Sequence, residues 1–191
     1  MEDGIPLSGI AMNKLLPPLI AISCLVSSCD TATPDQTFAR AVLNLNTIHG
    51  FAGRAMEEQL KNPSVKLAAN GKDTVTMTRK EVIDDKIAFA EDALGKVEKL
   101  KETDDSRDML QASKAVYAFI LPVLKTDYQE LAGLYDSGKP QVEIDAKSGA
   151  IREKYAAGFQ EKMDALVAAA KPYAERHNLK VQWDVRTSPG G

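Results

Sequence analysis

One long stripe of apolar residues between positions 142 and 176 limits the fold more than any other feature. Its members follow one another at a spacing of seven and then of three or four residues: Ile144, Ile151, Tyr155, Phe159, Met163, Leu166, Ala170 and Tyr173. A helix with apolar residues about every 3.5 positions presents one continuous face, which other helices have to cover. The stripe predicts a helix over 142–176 that packs along a bundle. Pro172 should bend or end it near the C-terminus.

A first helix should begin at Thr33. Pro34 stands at the first helical position, where its missing N–H does no harm, and Gln36 completes a capping box. Asn62-Pro63 should end this helix. Its apolar residues are mostly three or four positions apart: Phe38, Ala41, Leu45, Ile48, Ala52, Ala55 and Leu60.

Gly50 and Gly53 fall in the middle of this first helix. Each glycine costs a helix roughly 1 kcal/mol relative to alanine. Two explanations are open: another backbone approaches closely there, or the helix is locally irregular.

The second and third helices have similar signals. Thr78 and Glu81 form a second capping box, which starts the second helix. The third helix follows a tight turn at Thr103-Asp104-Asp105 and runs to about Asp136. Pro122 lies in its interior and should kink it, because the ring clashes with the preceding turn.

Two short segments show strand periodicity. Asn70-Gly71 predicts a turn, and Thr74-Val75-Thr76-Met77 alternates briefly like a strand. Apolar and polar residues also alternate over Leu179–Val185. This last segment should either pair with residues 73–77 or lie across the bundle with Trp183 docked.

Residues 15–28 contain no charge. This run is too short for a membrane-spanning helix, which needs about 20 residues, but it suits the apolar region of a secretory signal. Such a signal also requires a positive charge before the apolar run. Translation from Met12 would place Lys14 there, whereas the charges before Met12 are all acidic. We therefore expect Met12 to be the true start.

The apolar run ends in Leu25-Val26-Ser27-Ser28-Cys29, which resembles the bacterial lipobox. The resemblance implies cleavage before Cys29 and attachment of diacylglycerol to its sulfur, so that acyl chains such as palmitate hold the protein to a membrane. Cys24 is the alternative acceptor, although it would leave a short signal. A disulfide between Cys24 and Cys29, a metal pair, and an ordinary secretory signal cut near Ser28 are further readings.

These signals divide the chain into a leader and signal peptide at 1–28, a tether at 29–33, a helical domain at 34–186 and a loose C-terminus at 187–191.

The expected location is the bacterial cell envelope. Asp30 resembles an inner-membrane retention signal of enteric bacteria, whereas acidic residues at this place accompany surface display in other phyla. The periplasmic face and the cell surface therefore both stay open.

Composition and motifs argue against several function classes. The 24 Lys and Arg against 27 Asp and Glu give a formal net charge of -3, which does not favour nucleic acid. The chain lacks the Glu-x-x-His pairs of di-iron bundles, the Cys-x-x-Cys-His of haem attachment, a Walker loop and a G-x-S-x-G elbow. We expect no cofactor, no metal and no catalytic site.

A few residues remain as site candidates. His49 lies in a polar patch beside a glycine, where it is either a ligand contact or an ordinary half-buried or exposed side chain. His177 follows the last helix, where a cation complements the helix dipole. The neighbours in Glu57-Glu58 and Asp84-Asp85 point about 100° apart on a helix, which favours solvated surface. The tyrosines fall near the helical stripes, as core or rim residues would: Tyr117, Tyr128, Tyr135, Tyr155 and Tyr173.

Residues 80–181 are similar to a family of uncharacterised, lipid-anchored bacterial envelope proteins of similar length. The resemblance is carried by Ala115-Val116-Tyr117-Ala118-Phe119, Tyr128-Gln129-Glu130-Leu131, Phe159-Gln160 and Tyr173-Ala174-Glu175-Arg176-His177-Asn178-Leu179. It implies a helical periplasmic or surface lipoprotein. The family has no known active site, so it supplies no functional residues.

The sequence thus predicts a mostly α fold: an antiparallel up-down four-helix bundle with a short extended C-terminal segment. The first function hypothesis is a non-catalytic envelope protein that binds or scaffolds, with the membrane and an envelope protein as partners. The alternative is a carrier of a small apolar ligand in the bundle interior, with its cavity near Gly50, Gly53 and the Pro122 kink. An enzyme of unfamiliar type is the third hypothesis.

Overall fold

A computed structural model describes residues 32–48 and 50–183. This part of the chain is mostly helical, as the sequence predicts. Cys24, Cys29 and the expected loose end at 187–191 lie outside the described residues. The elements in chain order are α1 (Pro34–Ala41), a 3-10 helix (Leu43–Ile48), α2 (Arg54–Lys61), β1 (Val65–Leu67), β2 (Thr74–Thr76), α3 (Arg79–Glu98), α4 (Arg107–Val123), a π-helical segment (Leu124–Tyr128), α5 (Gln129–Asp136) and α6 (Gln141–Arg176).

Both predicted capping boxes are confirmed. The Gln36 amide donates to Thr33 Oγ1 at 3.3 Å, while the Thr33 amide donates to Gln36 Oε1 at 3.1 Å. Thr78 and Glu81 make the same reciprocal pair, at 3.2 Å and 2.9 Å. Each box supplies acceptors for amide groups that have no partner inside the helix.

The prediction of one continuous first helix is wrong. The α-helix ends at Ala41, a 3-10 helix follows, and α2 begins only at Arg54. Gly50 has a φ of +82° and Ala52 a φ of +52°, so the backbone turns left-handed between the helical pieces. The glycines therefore mark a local irregularity, which an apolar stripe cannot reveal because it continues through the break.

The predicted third helix is confirmed in extent but has a π-helical segment that begins at Leu124, two positions after Pro122. Pro122 has no N–H for the α-helical ladder, and the next residues take a wider turn before the helix resumes as α5. Thr126 Oγ1 donates to the Pro122 carbonyl at 2.8 Å. The π-helical segment carries Asp127 and Tyr128, both of which make tertiary contacts.

The strand predicted at 74–77 is confirmed as β2, and its partner is β1, antiparallel with Val65 opposite Thr76. The turn at Asn70-Gly71 is confirmed too, with a φ of +66° at Gly71. Pairing requires a second extended segment nearby, and residues 65–67 are joined to β2 by a short loop.

The C-terminal segment is not a strand over its described residues, 179–183. Instead the Trp183 ring packs edge-on against Phe38 of α1, with 5.9 Å between ring centroids. This is the second arrangement that the sequence left open. Lys171 also approaches the same ring, at 5.9 Å from its centroid.

The core lies where α4 packs against α6 and α3, and where α5 packs against α3 and α6. Much of the predicted stripe of α6 is buried there: Ile144, Ile151, Leu166, Ala170 and Tyr173. Its middle members are only half-buried: Tyr155, Phe159 and Met163. Phe51, from the break between the 3-10 helix and α2, lies 5.0 Å from Phe159 between ring centroids, so a loop packs on the middle of α6.

Within the described residues, no helix combines the length and the apolar character needed to cross a membrane.

Candidate functional site

A cleft of about 270 Å³ lies where the start of α1, the connection from α3 to α4 and the end of α6 meet. Its walls carry both apolar and hydrogen-bonding groups. The lining residues are Ala32, Pro34, Thr37, Leu100, Lys101, Thr103, Asp105, Ser106, Tyr173 and His177. The cleft is therefore built from three parts of the sequence that are far apart.

His177 and Asp105 form the polar centre of this cleft, with 2.7 Å between His177 Nε2 and Asp105 Oδ2. The hydroxyl of Thr103 and the His177 ring both hydrogen-bond to Asp105, and they lower the pKa of its carboxyl, Thr103 by more than His177. Arg176 donates to the Asp105 carbonyl at 2.8 Å. His177 thus follows the last helix as predicted, but it also binds a turn that is distant in sequence.

A histidine–aspartate pair is two-thirds of an acyl-transfer triad, so the nearby hydroxyl groups decide its chemistry. Ser106 Oγ accepts from the Thr103 amide at 3.0 Å and lies 2.8 Å from Thr103 Oγ1. This serine is 2% exposed and acts within its own turn. None of the described hydroxyl groups hydrogen-bonds to His177, whose ring nitrogen contacts the Asp105 carboxylate.

The hairpin of β1 and β2 is a second candidate region. Val65 and Leu67 are 63% and 67% exposed, and Val75 is 43% exposed. Residues opposite one another in an antiparallel pair share a face, so Val65 and Leu67 lie on one face with the two threonines of β2. Lys66 lies on the other face, where its ammonium pairs with Glu81 at the start of α3.

The outer edge of β2 carries backbone groups that point away from the hairpin. The Ala68 amide donates to the Asp73 carbonyl and the Met77 amide to the Ser64 carbonyl, at 2.8 Å and 2.9 Å. Because hydrogen-bonded pairs alternate in an antiparallel ladder, Thr74 and Thr76 direct their N–H and C=O groups outward. Among the described residues, nothing pairs with these groups.

The adjacent acids of the sequence do not form paired sites. Glu57 lies 3.3 Å from Arg152, between the carboxylate and guanidinium atoms. Glu58 points elsewhere, and its carboxylate is 3.7 Å from the Lys61 ammonium. Their separation follows from the angle between neighbours on a helix.

Asp84 and Asp85 separate in the same way. The Asp84 carboxylate binds the Lys80 ammonium at 2.9 Å and the Gln129 amide at 2.6 Å. Asp85 instead lines a groove together with Lys86.

Two tyrosines anchor the π-helical segment. The Tyr128 hydroxyl accepts a hydrogen bond from the Ala52 amide at 2.9 Å. Tyr155 donates to Asp127 at 2.7 Å, and Lys147 binds the other Asp127 oxygen at 2.8 Å. The hydrogen bonds from Lys147 and Tyr155 lower the pKa of the Asp127 carboxyl.

The remaining tyrosines have structural positions. Tyr117 is fully buried, and its hydroxyl finds no hydrogen-bond partner among the described residues. Tyr135 lies under the Arg79 guanidinium, 5.6 Å from the ring centroid. Tyr173 lines the cleft and packs against His177, with 4.4 Å between ring centroids and the two rings tilted by 46°.

The structure places an aromatic cluster beside Gly50 and Gly53. The ring of Phe51 lies 5.0 Å from Phe159, 5.6 Å from Tyr128 and 6.3 Å from Phe119, between ring centroids. His49 lies outside the described residues. Within the described part of the chain, no three histidine, cysteine or acidic side chains gather as a metal site would require.

Comparisons of the chain with protein-family models, with curated proteins and with solved structures find no match.

Proposed function

We propose that the chain is a bacterial cell-envelope lipoprotein whose folded part is a non-catalytic binding module. The proposal is supported by the uncharged run at 15–28 and by the lipobox-like residues that end in Cys29. The first helix of the described residues begins after the Thr33 cap, four positions after Cys29 in the sequence.

We also propose that the helices form an antiparallel up-down four-helix bundle. The irregular first segment with α2, then α3, then α4 with α5, and α6 would be its members. Short connections at 99–106 and 137–140 favour antiparallel neighbours, as does the packing of α4 on both α3 and α6.

The observation that carries the binding proposal is the exposed apolar side chains of the hairpin, in contrast to the buried side chains of the core. Val65 and Leu67 are more than half exposed, whereas core side chains such as Leu110 and Ile120 are fully buried. A two-stranded hairpin is only marginally stable alone, and a third strand would satisfy its free edge. The partner that fits is an extended segment of another envelope protein that pairs with β2 and covers Val65 and Leu67 with apolar side chains.

Site-specific photo-crosslinking in cells tests this proposal. A photoreactive amino acid placed at Leu67 should give a defined crosslinked partner, whereas the same group at Val142 should not. Val142 is the matched control because it is also an apolar residue with high exposure, 74%, and it lies at the start of α6, away from the hairpin in the sequence. Equal products from both positions would contradict the proposal.

A second variant tests the strand-pairing mode. Thr76→Pro removes an outward N–H without removing a hydrogen bond between β1 and β2. It should weaken crosslinking from Leu67 while the circular dichroism spectrum stays unchanged. Undiminished crosslinking would show that the partner binds without pairing to this edge.

A second function, that of a small-ligand carrier, is supported by a groove beside the 3-10 helix. Its walls are partly apolar, and it contains Lys86, which has no acidic partner among the described residues.

A further inference from the structure

A groove of about 290 Å³ lies between the 3-10 helix and α3. The 3-10 helix contributes Thr47 and Ile48, and α3 contributes Asp85, Lys86 and Phe89. Ile48 is almost fully buried and Phe89 is half-buried, so the floor of the groove is apolar. The Thr47 hydroxyl donates a hydrogen bond to the Asn44 carbonyl at 2.8 Å.

Lys86 is the unusual residue of this groove. It is half-buried, and burial lowers the pKa of its ammonium group. Other lysines of α3 have an aspartate one helical turn away: Lys80 lies 2.9 Å from Asp84, and Lys96 lies 2.5 Å from Asp92. The residues one turn before and after Lys86 are apolar, and no carboxylate of the described residues reaches its ammonium group.

A half-buried cation without a counter-ion is stabilised by an anion that enters the same space. The apolar floor adds a requirement for an apolar group on that anion. Asp85 also lines the groove, and its negative charge repels anions. This repulsion disfavours a ligand with two negative charges, such as a phosphate monoester.

We propose that this groove is a binding site for a small amphipathic monocarboxylate, such as a medium-chain fatty acid. The carboxylate pairs with the Lys86 ammonium, and the alkyl chain lies along Phe89 and Ile48. This site does not depend on the anchor at Cys29 or on the hairpin, so its test can fail while those two proposals hold, and the reverse. It gives the carrier function a definite place and ligand chemistry.

Lysine footprinting by mass spectrometry tests the site on the full chain. The purified protein is treated with an amine-acetylating reagent, with and without octanoate, and the acetylation rate of each lysine is measured. Saturating octanoate should slow acetylation of Lys86 by at least about tenfold, because the paired ammonium is held protonated and covered. Lys80 on the same helix should change little, since its partner Asp84 is part of the protein.

Two controls separate the proposed contacts. Octanamide has the same chain without the charge and should not protect Lys86. Phe89→Ala should raise the octanoate concentration needed for protection several-fold, while melting and circular dichroism confirm that the variant is folded. An unchanged Lys86 rate at all octanoate concentrations, or equal protection by octanamide, would overturn the proposal.

Discussion

Removal of one hydroxyl group at Tyr128 should destabilise the fold by about 1–3 kcal/mol. The Tyr128 hydroxyl is the acceptor for the Ala52 amide at 2.9 Å, and both residues are 3% exposed. Tyr128→Phe keeps the ring and its contact with Phe51, but it leaves the buried amide without a partner. The desolvated amide then carries the full penalty of an unmade hydrogen bond. Ala52 is also one of the two non-glycine residues with positive φ in the described chain, so this bond holds a strained backbone.

Tyr117→Phe is the matched control. It also removes one oxygen from a buried ring, 11 positions earlier in the sequence. Burial raises the pKa of Tyr117 to about 12, and its hydroxyl has no partner among the described residues. Removing an unpaired buried hydroxyl should leave stability unchanged or raise it by up to about 1 kcal/mol.

Urea unfolding of the two variants and the wild type, followed by circular dichroism, compares these free energies directly. Tyr128→Phe should lower the unfolding midpoint at an unchanged slope, and Tyr117→Phe should not. A Tyr128→Phe protein as stable as the wild type, or equal losses in both variants, would refute the reasoning.

Two further predictions concern the backbone and acid stability. Gly50→Ala should lower the free energy of unfolding by about 2–5 kcal/mol, because φ at Gly50 is +82° and the new Cβ would lie 2.4 Å from the Ala55 Cβ. Gly95→Ala is the control: its new Cβ would lie in open space on α3, so the free energy of unfolding should stay the same or rise. Thermal or urea unfolding measures both variants. The bonds from Lys147 and Tyr155 hold the Asp127 pKa below its usual 3.8, so they stabilise the fold above that pH and lose their effect as pH falls through the folded value. Asp127→Asn should therefore flatten the loss of stability below pH 3.8 in acid-unfolding curves; an unchanged curve would contradict this.

Local signals in the sequence predict much of the fold. The caps at Thr33 and Thr78 depend on residues three positions apart, so the pattern contains the whole interaction. The turn at Gly71 is local in the same sense. The long stripe predicts α6 because one face repeats over many turns, and that helix runs from Gln141 to Arg176.

The break in the first helical segment is not visible in the same way. Its apolar spacing continues through positions 49–53, and the glycines allow more than one explanation. The left-handed turn is stabilised by distant groups: the Tyr128 hydroxyl on Ala52, and the aromatic rings around Phe51. Tertiary contacts of this kind override a helical pattern.

The candidate sites depend on similarly distant pairs. His177 and Asp105 are 72 positions apart, so no motif joins them. The sequence predicts only part of the hairpin. It indicates the turn and β2, but it does not indicate β1, which is short and contains a charged residue. Lys86 is distinguished by its surroundings in three dimensions, because it is half-buried and no carboxylate of the described residues pairs with its ammonium group.

The anchor at Cys29 is the central claim of this account, and fatty-acid labelling tests it most directly. Bacteria that produce the wild type, Cys29→Ala or Cys24→Ala are grown with an alkyne fatty acid, and the purified proteins are assayed for the label. The wild type and Cys24→Ala should carry it, and Cys29→Ala should not. A Cys29→Ala protein that keeps its label would contradict the anchor and the membrane location that follows from it.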